Sequence, residues 1–184
     1  MNWQTISSKI AYDNAWIAVE HHEVVNPSGG NGIYGVVRFK NLAIGVVPLD
    51  ENGYIWLVGQ HRYPLQEYSW EIPEGGCPTG SPPLETAQRE LLEETGITAT
   101  HYQQLFSMHL SNSVSDELGI VYLATGLSFG EAQPEETEEL SLKKISFNDA
   151  YSLLLQGKIT DSLSVAALLK LKIMFLENEL QHQP

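Results

Sequence analysis

The chain has 184 residues, 42% of them hydrophobic, enough for one compact domain with a real core. Its formal charge is −13, from 23 acidic and 10 basic residues, which argues against a nucleic-acid partner and means that an anionic substrate needs local cations or a bound metal. One cysteine, Cys77, excludes an intrachain disulfide, no apolar run is long enough for a membrane span, and Met1-Asn2-Trp3-Gln4 does not open a leader peptide, so the expectation is a cytoplasmic chain.

In chain order, residues 16–25 are β-branched and partly alternating and predict a strand. Asn26 to Gly32 is a Pro/Gly loop, and residues 33–39 resume extended character. Leu42 to Leu49 is a nearly continuous apolar run that ends at the turn Asp50-Glu51-Asn52-Gly53, with Tyr54 to Gln60 as its returning strand. Trp70-Glu71-Ile72 is a short extended piece before Pro73. Over residues 82–95, Leu84, Ala87 and Leu91 recur at helical spacing; Ser81 reads as the N-cap, Pro82 as the first helical residue and Gly96 as the left-handed stop. Strands are expected near 103–110, 118–124 and 140–146. Asn148 is expected to cap a short helix ending near Gly157, and Asp161 or Ser162 to open a last helix, apolar on most sides, to about Leu180. Many strands around one central helix, with helices at the end, predict an α+β fold of the α/β/α sandwich kind. The expected division is a β segment at 1–35 and a main domain at 36–180.

The chemistry concentrates in the central helix. Glu90, Glu93 and Glu94 stand at i, i+3 and i+4 and share a face, largely away from the apolar residues. Three adjacent carboxylates repel one another, and a hard divalent cation (magnesium, manganese or calcium) reverses the sign of that interaction. The competing reading of the spacing alone is a solvated helix face.

Gly75, Arg89, Glu90, Leu91, Glu93, Glu94, Gly96 and Ile97 fall in register with the Nudix box, and the segment Gly75 to Ile97 resembles it. One position departs: Ser81 stands where the box has a Glu that in the family mainly holds the Arg. Glu85, four residues before Arg89, is placed to pair with it instead. A looser likeness to the ADP-ribose and nucleotide-sugar pyrophosphatase branch runs over about residues 35–170. It includes Gln60-His61-Arg62-Tyr63-Pro64, Trp70 to Gly76, Ser113 to Glu117, the acidic Pro134 to Glu139, and Gly157 to Ser162.

The resemblance implies a Nudix-type α/β/α sandwich with a mixed sheet, plus a small N-terminal β appendage. It also implies hydrolysis of a nucleoside diphosphate sugar or ADP-ribose to a nucleoside monophosphate and a sugar phosphate, with Mg2+, or Mn2+ as substitute. It assigns metal ligation to Glu90 and Glu94, to Glu74 through its backbone carbonyl, and to Glu138; Glu136 becomes the general base and Glu93 assists. Any Glu within 135–139 remains open for the last roles, because the register there shifts by one or two residues. Arg62 and Arg38 are candidates for gripping phosphate through a forked contact. Glu71 is a substrate-side candidate by position. Cys77, without a base partner, reads as a small loop hydrophobe. Two other functions stand beside this one: a ligand-sensing domain that does not cut, opposed by the intact helix glutamates, and an isoprenoid diphosphate isomerase, opposed by the lack of a suitable Cys and His set.

Residues 1–35 carry Trp3, Trp16, Ile17, Val19, Val24 and Val25, too apolar for a free arm. The expectation is a homodimer, with the 27–32 loop letting this segment reach a neighbour's substrate site.

Overall fold

The computed structural model describes residues 2–132 and 140–180. Ten strands and three helices occupy this part of the chain. Strands β1 (Gln4–Asp13), β2 (Ile17–Val25) and β3 (Asn31–Phe39) form an antiparallel sheet of their own. Then come β4 (Asn41–Pro48), β5 (Tyr54–Arg62), β6 (Glu67–Glu71), β7 (Glu74–Pro78), α1 (Pro83–Thr95), β8 (Ile97–His109), β9 (Leu118–Phe129), β10 (Ser141–Ser146), α2 (Phe147–Leu155) and α3 (Ser162–Leu176). The central sheet has the order β7-β4-β9-β8, mixed because β4 and β9 run parallel; a third sheet has the order β10-β5-β6.

The apolar run in β4 is continuous because both of its faces are covered, which is the usual reason such runs lose their alternation. Ile44 and Val46 face one core with Ile120, Tyr122, Ala87 and Leu91, under α1. Val47 and Leu49 face the other, with Val121, Leu123, Leu57, Phe147, Leu168 and Leu171, under α2, α3 and β5. The result is the expected α/β/α sandwich with a mixed sheet. Helix α3, apolar on most sides in sequence, buries one face through Leu163, Ala167, Leu168, Leu171 and Phe175 and leaves Leu169, Ile173 and Leu176 exposed, so it is not packed on more than one side by the described residues.

Several boundaries differ from expectation. Helix α1 begins one residue late: Pro82 is the N-cap, at φ −68° and ψ 120°, and no side chain caps the helix. A proline following Pro82 keeps it extended, so Ser81 lies outside the helix, too far back to cap it. Leu84 is 39% exposed and leaves the apolar face to Ala87 and Leu91. Gly96 is left-handed as expected, at φ 70°, with its N–H donating to the Leu92 carbonyl. Ser146, rather than Asn148, caps α2 and accepts from the Asp149 amide; Asp161 caps α3 and accepts from the Ser164 amide. Strand β8 starts at Ile97, directly after the helix stop, rather than near residue 103.

Strand β1 was not expected at all. Its register against β2 shifts between Thr5 and Ser7 and again between Ile10 and Tyr12, and such bulges erase the period-two signal. The loop after β2 is a hairpin tip. Asn26 Oδ1 accepts from the Ser28 and Gly30 amides, and β2 pairs with β3 without a break from Ile17↔Phe39 to Val25↔Asn31. It therefore folds the segment back on itself and is not a hinge between separated strands. The small sheet docks through β3: the Val37 amide donates to Val114 O, Asp116 N donates to Val37 O, and Tyr34 Oη donates to Ser113 O.

Candidate active site

The site is built where α1 lies across the β4–β7 ladder. In that ladder Gly45 opposes Glu74 and Ile44 opposes Gly75. Ala87 and Leu91 anchor the helix in the core at 0% exposure, and this rotation turns Glu90 and Glu94 toward β7. These two residues are 8% and 4% exposed, so they do not form a stripe opposite the core contact and are not a solvated face. A buried acid needs a partner. Glu94 Oε2 accepts from the Glu74 amide at 3.0 Å. Glu90 lies over Gly75, where a Cβ would come within 2.0 Å of Glu90 Oε1; glycine is required there for this close approach. Glu93 is half-buried on the outer flank of the same helix.

Arg89 is the cation of this group. Its Nη1 donates to Glu93 Oε2 at 2.6 Å and its Nη2 donates to Glu90 Oε1, with Gly76 O at 3.4 Å. The pairing expected from Glu85 is therefore made by Glu93, also four residues away but toward the C-terminal side, and by Glu90. Burial opposes the Arg89 charge, and the two carboxylates more than offset it.

A second cluster adjoins the first. Arg62, at the end of β5, directs Nε at both oxygens of Glu71, at 2.9 and 3.0 Å, and Nη2 at Glu74 Oε1 at 2.6 Å. Its fork, expected to grip phosphate, is engaged by carboxylates. Glu71 is 2% exposed and fixes the guanidinium plane. The other oxygen of Glu74, Oε2, is buried without a hydrogen-bond partner. Burial, with the charges of Asp161 and Glu71, pushes the Glu74 carboxyl well above its usual range. Glu117 is raised too, by burial and then by Asp161.

Arg62 and Glu74 line a cleft of 380 Å³ with Trp16, Phe39, Gly75, Gly76 and Glu117. They also line a smaller hollow of 250 Å³ with Ser69, Thr160 and Asp161. Arg38 stands apart, with Nε on Glu20 at 3.1 Å and Nη1 on Asp116 at 3.2 Å. It ties the N-terminal sheet to the β8–β9 loop. Glu136 and Glu138 lie outside the described residues.

The fold therefore gathers Glu71, Glu74, Glu90, Glu93, Glu94 and Arg62 along β5, β6, β7 and α1. Reading the sequence missed Glu117, and it missed Asp161 as anything but a cap. The signal for both lay in the segments Ser113 to Glu117 and Gly157 to Ser162, whose likeness to the pyrophosphatase branch had no role attached to single residues.

Residues 39–167 match the protein-family model described as NUDIX domain, which is more than half of the chain. The chain belongs to the Nudix family. Residues 3–37 match a second model, described as nucleoside diphosphate sugar hydrolase N-terminal domain. An ADP-ribose pyrophosphatase of Mycobacterium tuberculosis is 35% identical over 172 residues, covering 91% of this chain and 82% of that one. An ADP-ribose pyrophosphatase of Bacillus subtilis is 30% identical over 172 residues, covering 92% of each. A methanol dehydrogenase activator of Bacillus methanolicus is 30% identical over 182 residues, covering 98% of this chain and 96% of that one. In three dimensions the chain superposes on a crystal structure of an ADP compounds hydrolase with a TM-score of 0.87, over 99% and 98% of the two chains at 18% identity, a likeness of fold.

The Nudix helix of this hydrolase is suited to a hard divalent cation. Its acids are oxygen donors, Gly75 leaves a cradle that a Cβ would fill, and Glu74 Oε2 is a buried oxygen without a partner. Among the described residues, no three His, Cys, Asp or Glu side chains are already gathered closely enough to chelate an ion. Arg89, not convergence on one point, satisfies Glu90 and Glu93 as they stand. No described helix is long and apolar enough to cross a membrane.

Proposed function

We propose that this Nudix hydrolase cuts the diphosphate bond of ADP-ribose or of a nucleoside diphosphate sugar, releasing a nucleoside monophosphate and a sugar phosphate, with Mg2+ as the working ion and Mn2+ as a substitute. The observation that carries the reading is the pair of buried carboxylates, Glu90 and Glu94, set against the Glu74–Gly75 segment, which lines a 380 Å³ cleft. Two relatives named ADP-ribose pyrophosphatase, and the nucleoside diphosphate sugar hydrolase description of residues 3–37, support the substrate class.

In this reading Glu90 and Glu94 would hold the ion, with the Glu74 carbonyl and Glu138 as further oxygen ligands. When bound, the ion would supply charge neutralisation at the diphosphate oxygens and would acidify water. Glu136 would take a proton from the attacking water, and Glu93, on the same helix as Glu90 and Glu94, would assist. Arg62 is the cation that lines the cleft, and Glu71 orients it. Arg38 acts from outside the cleft, by holding Asp116 next to Glu117.

The same reading divides the chain into a 1–35 β segment and a 36–180 catalytic domain, and places it in the cytoplasm. It also makes the protein a homodimer through β1–β3. Trp3, Ile6, Ile10, Tyr12 and Trp16 are each more than half exposed, an apolar surface too large to be left to water. Light scattering is expected to give about twice the 20.5 kDa chain mass.

The direct test is a panel of ADP-ribose, nucleotide sugars and nucleoside triphosphates with Mg2+, with products resolved by ion exchange. The expected products are a nucleoside monophosphate and a sugar phosphate. Pyrophosphate released only from triphosphates would overturn the substrate class.

A further inference from the structure

The guanidinium of Arg89 holds Glu90, which the reading above assigns to a divalent cation, and Glu93, to which it gives an assisting role. Nη1 is on Glu93 Oε2 at 2.6 Å, and Nη2 is on Glu90 Oε1. Glu90 is buried, so its oxygens have few other directions to turn. An ion arriving at Glu90 therefore meets a carboxylate already held by a protein cation. The position of Arg89 is not fixed by packing: its side chain is 42% exposed. On one side it borders a hollow of 440 Å³ lined by Gly76, Pro78, Ser81, Pro82, Glu85 and Thr86. Ser81, a short neutral side chain that offers the guanidinium no charge, lines the same hollow. Glu85 also lines it, yet Arg89 turns to Glu90 and Glu93.

We propose that Arg89 is a built-in competitor for the divalent cation, and that the short, neutral Ser81 leaves it engaged with Glu90 and Glu93. The proposal rests on the metal-dependent reading above. Arg89 acts through the acids it holds, as a positioning residue. Metal loading and release of Arg89 from Glu90 are then linked steps. A carboxylate at position 81 gives the guanidinium an alternative partner in the same hollow and lowers the cost of that release.

The test is Mn2+ binding to the full chain, by calorimetry and by loss of the free-ion signal in electron paramagnetic resonance. Neither readout needs substrate. Ser81→Glu is expected to bind Mn2+ about two- to fivefold more tightly, the size of one half-exposed ion pair, and Ser81→Gln to match the wild type. An added negative charge near a metal site also tightens binding non-specifically, so the deciding comparison is a double-mutant cycle. In an Arg89→Gln background, the effect of Ser81→Glu is expected to vanish. In Arg89→Lys, which keeps charge but loses the fork, it is expected to survive in part. Thermal unfolding checks that each variant is folded, and Arg89→Lys carries the cycle if Arg89→Gln is not. Equal tightening by Ser81→Glu with and without Arg89 overturns the proposal, as does no tightening at all in the wild-type background. If no variant and no wild-type chain binds Mn2+ at millimolar concentration, the metal-dependent reading itself fails, which is a distinct result.

Discussion

The N-terminal sheet and the β4–β7–α1 region are built from similarly apolar stretches of sequence, yet they end in opposite environments. All ten residues of β1 are exposed, and β2 buries one residue, Val24. In β4 the last five residues are buried, and α1 buries six, including two glutamates. One region is held by its own core; the other is held by backbone ladders and by its docking onto the 113–116 loop. The difference teaches where each draws its stability. Packing holds Glu90 and Glu94 in place, and the small sheet leaves Ile6, Ile10 and Tyr12 exposed.

The sharpest way to break this contrast is to disturb the packed region at one atom. Gly75→Ala places a methyl within 2.0 Å of Glu90 Oε1 and must displace that carboxylate. A misplacement of this order costs about 10²-fold in turnover, measured on ADP-ribose with Mg2+. Near-full activity in a folded Gly75→Ala protein would mean that the Glu90 position is not critical.

Next in size is a cavity. Leu91→Ala, at 0% exposure, is expected to lower stability by about 2–5 kcal/mol, read by urea unfolding. The matching change in the other region, Ile10→Ser at 65% exposure, is expected to cost within about 0.5 kcal/mol when the chain is monomeric. Its effect should appear instead as a lower mass by light scattering at micromolar concentration. A large loss of intrinsic stability in Ile10→Ser, with unchanged mass, would erase the distinction between the regions.

Much of this was legible in the sequence because one residue pattern answered to one cause. Gly96 stops α1 where a left-handed residue was read, and the unbroken run in β4 reflects two covered faces. The acids of α1 were legible as a group, but their burial was not. Periodicity places Glu90 and Glu94 beside Leu91 and Ala87 without saying how far the sheet wraps around the helix. The partner of Arg89 was misread because two acids lie at helical spacing on either side, Glu85 before and Glu93 after, and only the fold chooses. The role of Arg62 depends on Glu71, which reaches it through the β5–β6 ladder, and on Glu74, which reaches it from β7 beside β4, pairings that local sequence does not encode. Strand β1 was hidden by its two bulges.

The pH dependence of stability sharpens the contrast more gently. Burial, with Asp161 and Glu71 nearby, raises the Glu74 carboxyl. A group that binds its proton more tightly when folded adds stability below the ordinary carboxyl range and loses it as pH rises through the raised value. The urea midpoint should therefore contain a component that falls as pH rises above the ordinary carboxyl range, and Glu74→Gln should remove it. Asp116, lowered in spite of burial by the Phe39 amide and Arg38, acts the other way: its contribution is present above the ordinary range and is lost on acidification. An identical pH profile in wild type and Glu74→Gln would show that this buried carboxyl is not coupled to folding.

The most direct measurement is turnover of ADP-ribose by the wild type and by Glu94→Gln across a titration of Mg2+. The substitution keeps the size of the side chain and an oxygen for the Glu74 amide, while removing the charge offered to the ion. The expected result is Mg2+-dependent release of AMP and ribose 5-phosphate by the wild type, and a loss of about 10²-fold or more in the variant, roughly 3 kcal/mol of charge stabilisation, with an unchanged unfolding midpoint. Wild-type levels of Mg2+-dependent product from a folded Glu94→Gln protein would contradict the account.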